Sequence, residues 1–212
     1  MESGGEQGAW TATGATAPDD PRTERSETIE VDARPRRFVV YRPVTAAAER
    51  LPLMIALHGR NLTVREFRRI SRLDAVADRH GFVVVYPEGY RRSWNAARGN
   101  TPAERAGVDD VAFIRAIIDR LGEEDEIDRA RVCVTGLSNG GVMCHVLGIE
   151  LSEWIPVIAP VAGLMPEALV NRAPDHAVSV MLIQGDRDRL MPIEGGLARG
   201  SGRLLLLLSG VR

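Results

Sequence analysis

The sequence predicts an α/β protein with a mainly parallel sheet and helices on both of its faces. Continuous apolar runs such as Leu53–Leu57 and Phe82–Tyr86 are typical of strands that are covered on both sides. Segments with the apolar spacing of a helix alternate with these runs along the chain. That order of elements requires right-handed crossovers between parallel strands, which is the architecture of a layered α/β fold.

The two ends of the chain differ in composition from its middle. Residues 1–26 are rich in Gly, Thr, Glu and Asp, and they are predicted to form a flexible tail. Two early strands, Thr28–Val31 and Arg37–Tyr41, are expected to pair in antiparallel fashion at a sheet edge. The domain itself is expected to span residues 27–196. Residues 197–212 include five leucines in a row that fit neither strand nor helix, and we interpret them as an aberrant or truncated terminus.

Helix starts in the alternating part can be predicted from capping residues. Thr63 is expected to cap a first helix, which continues to Gly81. Asp109 or Asp110 is expected to cap a second helix, and a third is expected to begin after Asn139. The buried strands are expected at Leu53–Leu57, Phe82–Tyr86, Val132–Val134, Val157–Ala159 and Val178–Ile183.

Composition and charge exclude several classes of function. Apolar residues make up 44% and charged residues 26% of the chain, as in ordinary soluble domains. A net charge of −2 gives no electrostatic reason to bind nucleic acid. No apolar run is long enough to span a membrane, and no signal peptide is visible, which predicts a cytoplasmic protein. No phosphate loop, zinc spacing or dinucleotide motif is present, so neither a metal nor a cofactor is expected.

A candidate nucleophile lies in the segment Gly136–Gly140, which matches the pattern G-x-S-x-G with Ser138 at its centre. The motif is short, so its flanks decide its meaning, and here a predicted strand precedes it and a predicted helix follows. In that setting the serine lies on a tight turn above the helix N-terminus, where the N–H of Asn139 can stabilise an oxyanion. The alternative is a glycine-rich turn whose serine only caps the helix.

A second oxyanion donor is expected in the loop after the first buried strand. Gly59 would allow the backbone to turn inward, which makes the N–H of Arg60 the candidate donor. The alternative is a turn without any catalytic role. His58 is better interpreted as a residue that braces this loop than as a base.

A candidate acid follows the last predicted strand. Asp186 and Asp188 compete for the role, and their spacing to Pro192 favours Asp188, whereas Asp186 would cap the turn. Either one is alternatively a solvated aspartate in a turn.

These motifs resemble the polyhydroxybutyrate depolymerase and feruloyl esterase family of carbohydrate esterases, which have the α/β-hydrolase fold. The resemblance runs from about Phe38 to Gly196 and rests on these segments: Ala56–Gly59, Gly81–Pro87, Ser93–Asn95, Gly107–Val111, Thr135–Gly141, Ala159–Gly163 and Gly185–Asp188. It implies hydrolysis of small or polymeric esters, often outside the cell. The compartment therefore stays open, because this family habit and the absent signal peptide point to different locations. The resemblance also implies that Asp188 is the catalytic acid and that Trp94 lines the acyl pocket, although a tryptophan buried in the core is the alternative.

The family's catalytic histidine follows its acid, in a segment ending His-x-Trp-Pro, and this sequence has no counterpart. Its four histidines, His58, His80, His145 and His176, all precede Asp188. The resemblance therefore implies a serine esterase whose activity is impaired, because serine is a poor nucleophile without a base. Two alternatives stay open, a non-catalytic fragment or binding pseudoenzyme and an acyltransferase. The sequence does not indicate an oligomeric state.

Overall fold

The computed structural model describes residues 24–43, 50–97, 99–124, 127–197 and 203–204. Most of the predicted tail, residues 1–26, lies outside this range, but Glu24–Ser26 belong to the first strand and correct the predicted boundary. The predicted aberrant terminus, residues 197–212, lies mostly outside the described residues. Gly196–Leu197 and Arg203–Leu204 form a separate antiparallel pair.

A seven-stranded mixed sheet forms the centre of the molecule. Its spatial order is β1-β2-β4-β3-β5-β6-β7. The first two strands pair in antiparallel fashion at one edge, as predicted, and the other strands run parallel to one another. The strands are β1 (Glu24–Val31), β2 (Arg34–Tyr41), β3 (Leu51–Leu57), β4 (Val83–Pro87), β5 (Ile127–Leu137), β6 (Val157–Val161) and β7 (Ser179–Val180).

Helices cover both faces of the sheet, which confirms the predicted α/β class. One face packs against α1 and α2, where Phe67 and Ala77 join Val84 and Tyr86 in a buried cluster. The other face packs against α4 and α5 in a larger core. The helices are α1 (Val64–Ser71), α2 (Leu73–His80), α3 (Pro102–Arg105), α4 (Asp110–Glu123) and α5 (Asn139–Glu150), with short 3₁₀ turns at Tyr90–Arg92 and Glu167–Leu169.

The first predicted helix is interrupted in the structure. Thr63 caps it as expected, with a reciprocal hydrogen-bond pair to Glu66. Arg72, however, has a left-handed backbone (φ 54°) that ends α1 and begins α2. Ile70, an apolar residue in the last turn of α1, is 52% exposed.

The last predicted strand, Val178–Ile183, is wrong in length and burial. Only Ser179 and Val180 form a strand, with one further bridge between Ile183 and Val161. Within the described residues this strand pairs only with β6, so it is an edge. The side chains of Val180 and of Met181, which follows the strand, are 58% and 63% exposed.

Candidate active site

Ser138 lies on a sharp turn between β5 and α5, at the carboxyl edge of the parallel strands. Its backbone has φ 54° and ψ −114°, a combination that residues other than glycine rarely adopt. The turn is fixed from outside, because the N–H of Ser138 donates to the carbonyl of Val161 on β6 (2.9 Å). Strained backbone of this kind persists only where its surroundings enforce it, and it is concentrated at functional sites.

Gly136 and Gly140 make the turn possible, as the sequence predicted. A Cβ on Gly136 would lie 2.5 Å from the carbonyl carbon and oxygen of Gly140. A Cβ on Gly140 would lie 2.3 Å from the carbonyl oxygen of Leu57. Strand β5, helix α5 and the end of β3 therefore meet at backbone contact distance around the serine.

The loop after β3 lies beside Ser138, where the second oxyanion donor was predicted. A Cβ on Gly59 would lie only 3.7 Å from the Cβ of Ser138. Among the described residues, neither the N–H of Arg60 nor that of Asn139 donates a hydrogen bond. Asn139 is the first residue of α5, so its N–H also carries the positive end of the helix dipole. Both candidate donors are thus unbonded among the described residues, one in the loop beside Ser138 and one in the residue that follows it.

His58 braces the loop, as the sequence favoured. Its side chain is buried, and the N–H of Gly89 donates to Nε2 (2.9 Å). Because a backbone N–H can only donate, Nδ1 carries the proton and donates to the carbonyl of Gly59 (2.9 Å). Burial lowers the pKa of His58, so the ring stays neutral. With both nitrogens bonded, His58 has no nitrogen left to serve as base.

Trp94 is fully buried, which favours the core position that the sequence left as an alternative. Its backbone N–H donates to Oδ1 of Asn139 (2.8 Å), and the indole Nε1–H donates to the carbonyl of His58 (2.8 Å). The indole also lies against the imidazole of His58, with ring centroids 5.0 Å apart. Trp94 therefore contacts both the start of α5, at Asn139, and the end of β3, at His58, from within the core.

A buried ion pair supports this arrangement, and sequence reasoning missed it. Arg36 on β2 donates to Oδ1 of Asp110 (2.6 Å), and both side chains are buried. Oδ2 of Asp110 accepts the N–H of Asn95 (2.7 Å), next to Trp94. Burial raises the pKa of Asp110, and the guanidinium of Arg36 opposes that rise. Asp109, not Asp110, caps α4. Because one helix needs only one capping residue, the second aspartate of the pair was the sequence signal for a further role of Asp110.

The candidate acid Asp188 lies in a loop that reaches the same edge of the sheet. Val161, which binds the Ser138 N–H, pairs with Ile183, and Asp188 follows five residues later. Oδ1 of Asp188 accepts the N–H groups of Leu190 (2.8 Å) and Met191 (3.0 Å). Asp188 thus caps the turn, a role that the sequence had assigned to Asp186.

The remaining histidines do not lie where a base is needed. His145 is buried seven residues after Ser138 along α5, which corresponds to about 10 Å of helix. Its Nε2 lies 3.0 Å from the carbonyl of Gly163, and burial lowers its pKa. His80 is the last residue of α2 and His176 precedes β7, and both are exposed.

No group of three or more potential metal-ligating side chains occurs among the described residues. None of the helices in that part of the chain combines the length and apolarity needed to cross a bilayer.

Comparison with known proteins identifies the family. The model of the family described as "Esterase PHB depolymerase" matches residues 36–194, which is most of the chain. The chain belongs to this family of esterases. The matched range begins in β2 and ends after the loop that contains Asp188, so it includes Ser138, Arg60 and Asp188.

Individual relatives agree with this assignment. The chain is 33% identical over 175 residues to "Putative esterase NocK" of Nocardia uniformis subsp. tsuyamanensis, covering 82% of the chain and 51% of that protein. It is 31% identical over 115 residues to the poly(3-hydroxyalkanoate) depolymerase C of Paucimonas lemoignei, covering 53% of the chain and 28% of that protein. The chain therefore spans about half or less of the length of these curated relatives.

Solved structures with the same fold include a thermostable esterase and an acetyl xylan esterase from Aspergillus awamori. The first aligns with a TM-score of 0.65 at 20% identity, over 82% of the chain and 49% of that structure. The second aligns with a TM-score of 0.56 at 18% identity, over 66% and 53%. These likenesses confirm the α/β-hydrolase fold.

Proposed function

We propose that the chain provides the catalytic scaffold of a carboxylic-ester hydrolase that forms an acyl-enzyme on Ser138. The observation that carries this proposal is the strained backbone of Ser138 (φ 54°, ψ −114°) between two glycines that tolerate no side chain. A serine that merely capped a helix would need no such conformation, and its side chain makes no capping hydrogen bond here. Family membership points to the same chemistry.

The proposed reaction has two steps. The Oγ of Ser138 attacks the ester carbonyl carbon while a base takes its proton, and the N–H groups of Asn139 and Arg60 stabilise the resulting oxyanion. Collapse of this tetrahedral species breaks the bond to the alcohol, which leaves with a proton. Water then attacks the acyl-serine in the same way and releases the carboxylic acid. Asp188 would orient the histidine that acts as base.

A polypeptide of residues 1–212 is expected to perform this reaction slowly. His58 has both nitrogens bonded, and His145 lies two helical turns from Ser138. In a well-studied serine protease, loss of the base lowered kcat by about 2 × 10⁶. The residual rate of such enzymes, about 10³–10⁴ above the reaction in water, comes from the oxyanion site and substrate binding.

Esters of small molecules or polymers are the proposed substrates. Relatives are named as a poly(3-hydroxyalkanoate) depolymerase, a feruloyl esterase and acetylxylan esterases, so their names cover polyesters and acylated sugars. A second candidate, a non-catalytic binding protein, is favoured by the bonded or distant positions of the histidines. The two candidates differ in whether Ser138 reacts.

The test uses purified protein of residues 1–212 with 4-nitrophenyl acetate and butyrate, with and without added imidazole. Imidazole also hydrolyses 4-nitrophenyl esters without protein, so that rate is measured separately and subtracted. We expect imidazole to accelerate the remaining turnover by the native chain but not by Ser138→Ala. Ser179→Ala, which changes an exposed serine on β7, serves as the matched control and should behave like the native chain. Glycerol as acceptor distinguishes hydrolysis from acyl transfer, since transfer yields a new ester.

Three results would decide between the candidates. Equal turnover by the native chain and Ser138→Ala under all conditions contradicts the acyl-enzyme proposal and favours the binding protein. Rapid turnover without imidazole contradicts only the expected impairment. Turnover that depends on both Ser138 and imidazole supports the proposal in full.

A further inference from the structure

Trp94 occupies a position between the two proposed oxyanion donors. Arg60 follows β3, and Asn139 begins α5, so the two N–H groups belong to segments far apart in the sequence. Trp94 comes from a third segment, the loop after β4. It is completely buried, so its contacts are with protein groups.

On one side, Trp94 holds the segment that contains Asn139. The N–H of Trp94 donates to Oδ1 of Asn139 (2.8 Å), and Nδ2 of Asn139 donates back to the Trp94 carbonyl (3.4 Å). The Asn139 side chain is itself buried. A side-chain amide bonded on both of its ends has no rotational freedom, so these bonds fix the first turn of α5.

On the other side, Trp94 holds the end of β3. The indole Nε1–H donates to the carbonyl of His58 (2.8 Å), two residues before Arg60. The imidazole of His58 then binds both Gly59 and Gly89, which fixes the turn that leads to Arg60. A single residue thus links the two donor segments, through its indole N–H to the peptide before Arg60 and through its backbone N–H to the side chain of Asn139.

We propose that Trp94 is a positioning residue, whose indole N–H and backbone amide set the separation of the Arg60 and Asn139 N–H groups on either side of Ser138. This proposal rests on the proposed function for its catalytic consequence. Oxyanion donors act only when they point at the position where charge develops, so their relative placement affects the transition state more than substrate binding. The role differs from lining an acyl pocket, which requires contact with substrate.

The test compares Trp94→Phe with Tyr86→Phe in protein of residues 1–212. Trp94→Phe keeps a buried aromatic ring but removes the indole N–H. Tyr86→Phe is the matched control, because it removes one hydrogen bond, from the Tyr86 hydroxyl to Asp74, in the layer on the opposite face of the sheet. Kinetics with 4-nitrophenyl acetate and imidazole give kcat and KM for each variant.

We expect Trp94→Phe to lower kcat about tenfold at unchanged KM, which is less than the 10²–10³-fold loss of a whole oxyanion donor. Tyr86→Phe should leave both constants unchanged. An unchanged kcat in Trp94→Phe overturns the proposal, and so does a raised KM at unchanged kcat, which would place the ring against substrate. If Ser138→Ala equals the native chain, the proposed function fails instead.

A second measurement needs no turnover. Amide hydrogen exchange, followed by NMR, reports the environments of the Arg60 and Asn139 N–H groups directly. Trp94→Phe should change exchange at both amides, whereas Tyr86→Phe should change neither. Unchanged exchange at both amides in Trp94→Phe overturns the positioning role whatever the kinetics show.

Discussion

The two halves of the candidate site differ in how firmly the protein holds them. The elbow region, defined here as Leu57–Arg60, Ser93–Trp94 and Gly136–Val142, lies between the covered central strands, and side chains such as His58, Trp94 and Asn139 are at most 2% exposed. The acid loop, Gln184–Pro192, follows the edge strand β7, where Ile183 and Leu190 are 47% and 66% exposed. Ser138 and the candidate donor segments are therefore held by the core, whereas the candidate acid Asp188 is held mainly by hydrogen bonds within its own loop.

The largest expected difference between the two halves is in their response to a glycine-to-alanine substitution, Gly140→Ala in the elbow region and Gly185→Ala in the acid loop. In Gly140→Ala the new Cβ would lie 2.3 Å from the Leu57 carbonyl oxygen and 2.7 Å from that of His58, and backbone atoms cannot move aside as a flexible side chain can. We expect a loss of about 4 kcal/mol or more in the free energy of unfolding, measured by urea denaturation. In Gly185→Ala the nearest atom, Cβ of Asp188, is 4.0 Å away, so the change should stay within about 0.5 kcal/mol. Similar losses in both variants would show that the elbow is not the more rigid half.

Truncation of matched isoleucines tests the same contrast in packing. Ile158 on β6 is 3% exposed, and Ile158→Ala should cost about 2–5 kcal/mol of unfolding free energy because it leaves a cavity. Ile183, 47% exposed beside the acid loop, should cost about 1 kcal/mol or less when changed to Ala. Urea denaturation of the two variants under identical conditions gives both values. A cost at Ile183 that equals the cost at Ile158 would mean that this edge is covered in solution.

Sequence reasoning predicted the elbow better than its surroundings, and the reason is distance along the chain. Gly136 and Gly140 are four residues apart, so one short motif encodes the turn. The hydrogen bonds around the turn join residues that are far apart in the sequence. Trp94 is 36 positions from His58 and 45 from Asn139, and Arg36 is 74 positions from Asp110. Single-sequence patterns carry no record of such pairs.

The errors in the fold have a similar cause. The apolar spacing from Val64 to Ala77 fits one helix, but Arg72 adopts a left-handed backbone that its residue type does not indicate. The apolar residues Val178–Ile183 match a buried strand, yet burial depends on which neighbours a strand meets in space. In the described residues that strand meets only β6.

Acid titration should reveal the buried imidazole of the elbow region. Burial lowers the pKa of His58 below the ordinary 6.5, so at lower pH the unfolded chain binds a proton that the folded chain does not. The free energy of unfolding should therefore fall as pH drops below about 6.5, by up to about 1.4 kcal/mol per pH unit for this residue. His145 adds a contribution of the same sign, because burial lowers its pKa too.

The variant His58→Gln isolates the share of His58. Urea denaturation between pH 7 and pH 5 should give a shallower pH dependence of the unfolding free energy, by up to about 1.4 kcal/mol per pH unit, whatever the variant does to stability at pH 7. His80→Gln, which changes an exposed histidine at the end of α2, is the control measured alongside. If His58→Gln retains the native pH dependence, folding does not lower the pKa of His58, which contradicts a buried neutral ring.

The smallest expected effect is removal of the acid. The Asp188 carboxylate accepts two backbone N–H groups and the side chain of Gln184 (3.1 Å), so Asp188→Ala should cost about 1 kcal/mol of unfolding free energy by urea denaturation. The Asp186 carboxylate makes no hydrogen bond among the described residues, and Asp186→Ala should change nothing measurable.

Because a catalytic acid acts through the histidine it orients, turnover rescued by free imidazole should be the same in Asp188→Ala as in the native chain. A large loss of rescued turnover would instead mean that Asp188 acts on Ser138 or substrate directly, and the acid loop would then be as closely coupled to the chemistry as the elbow.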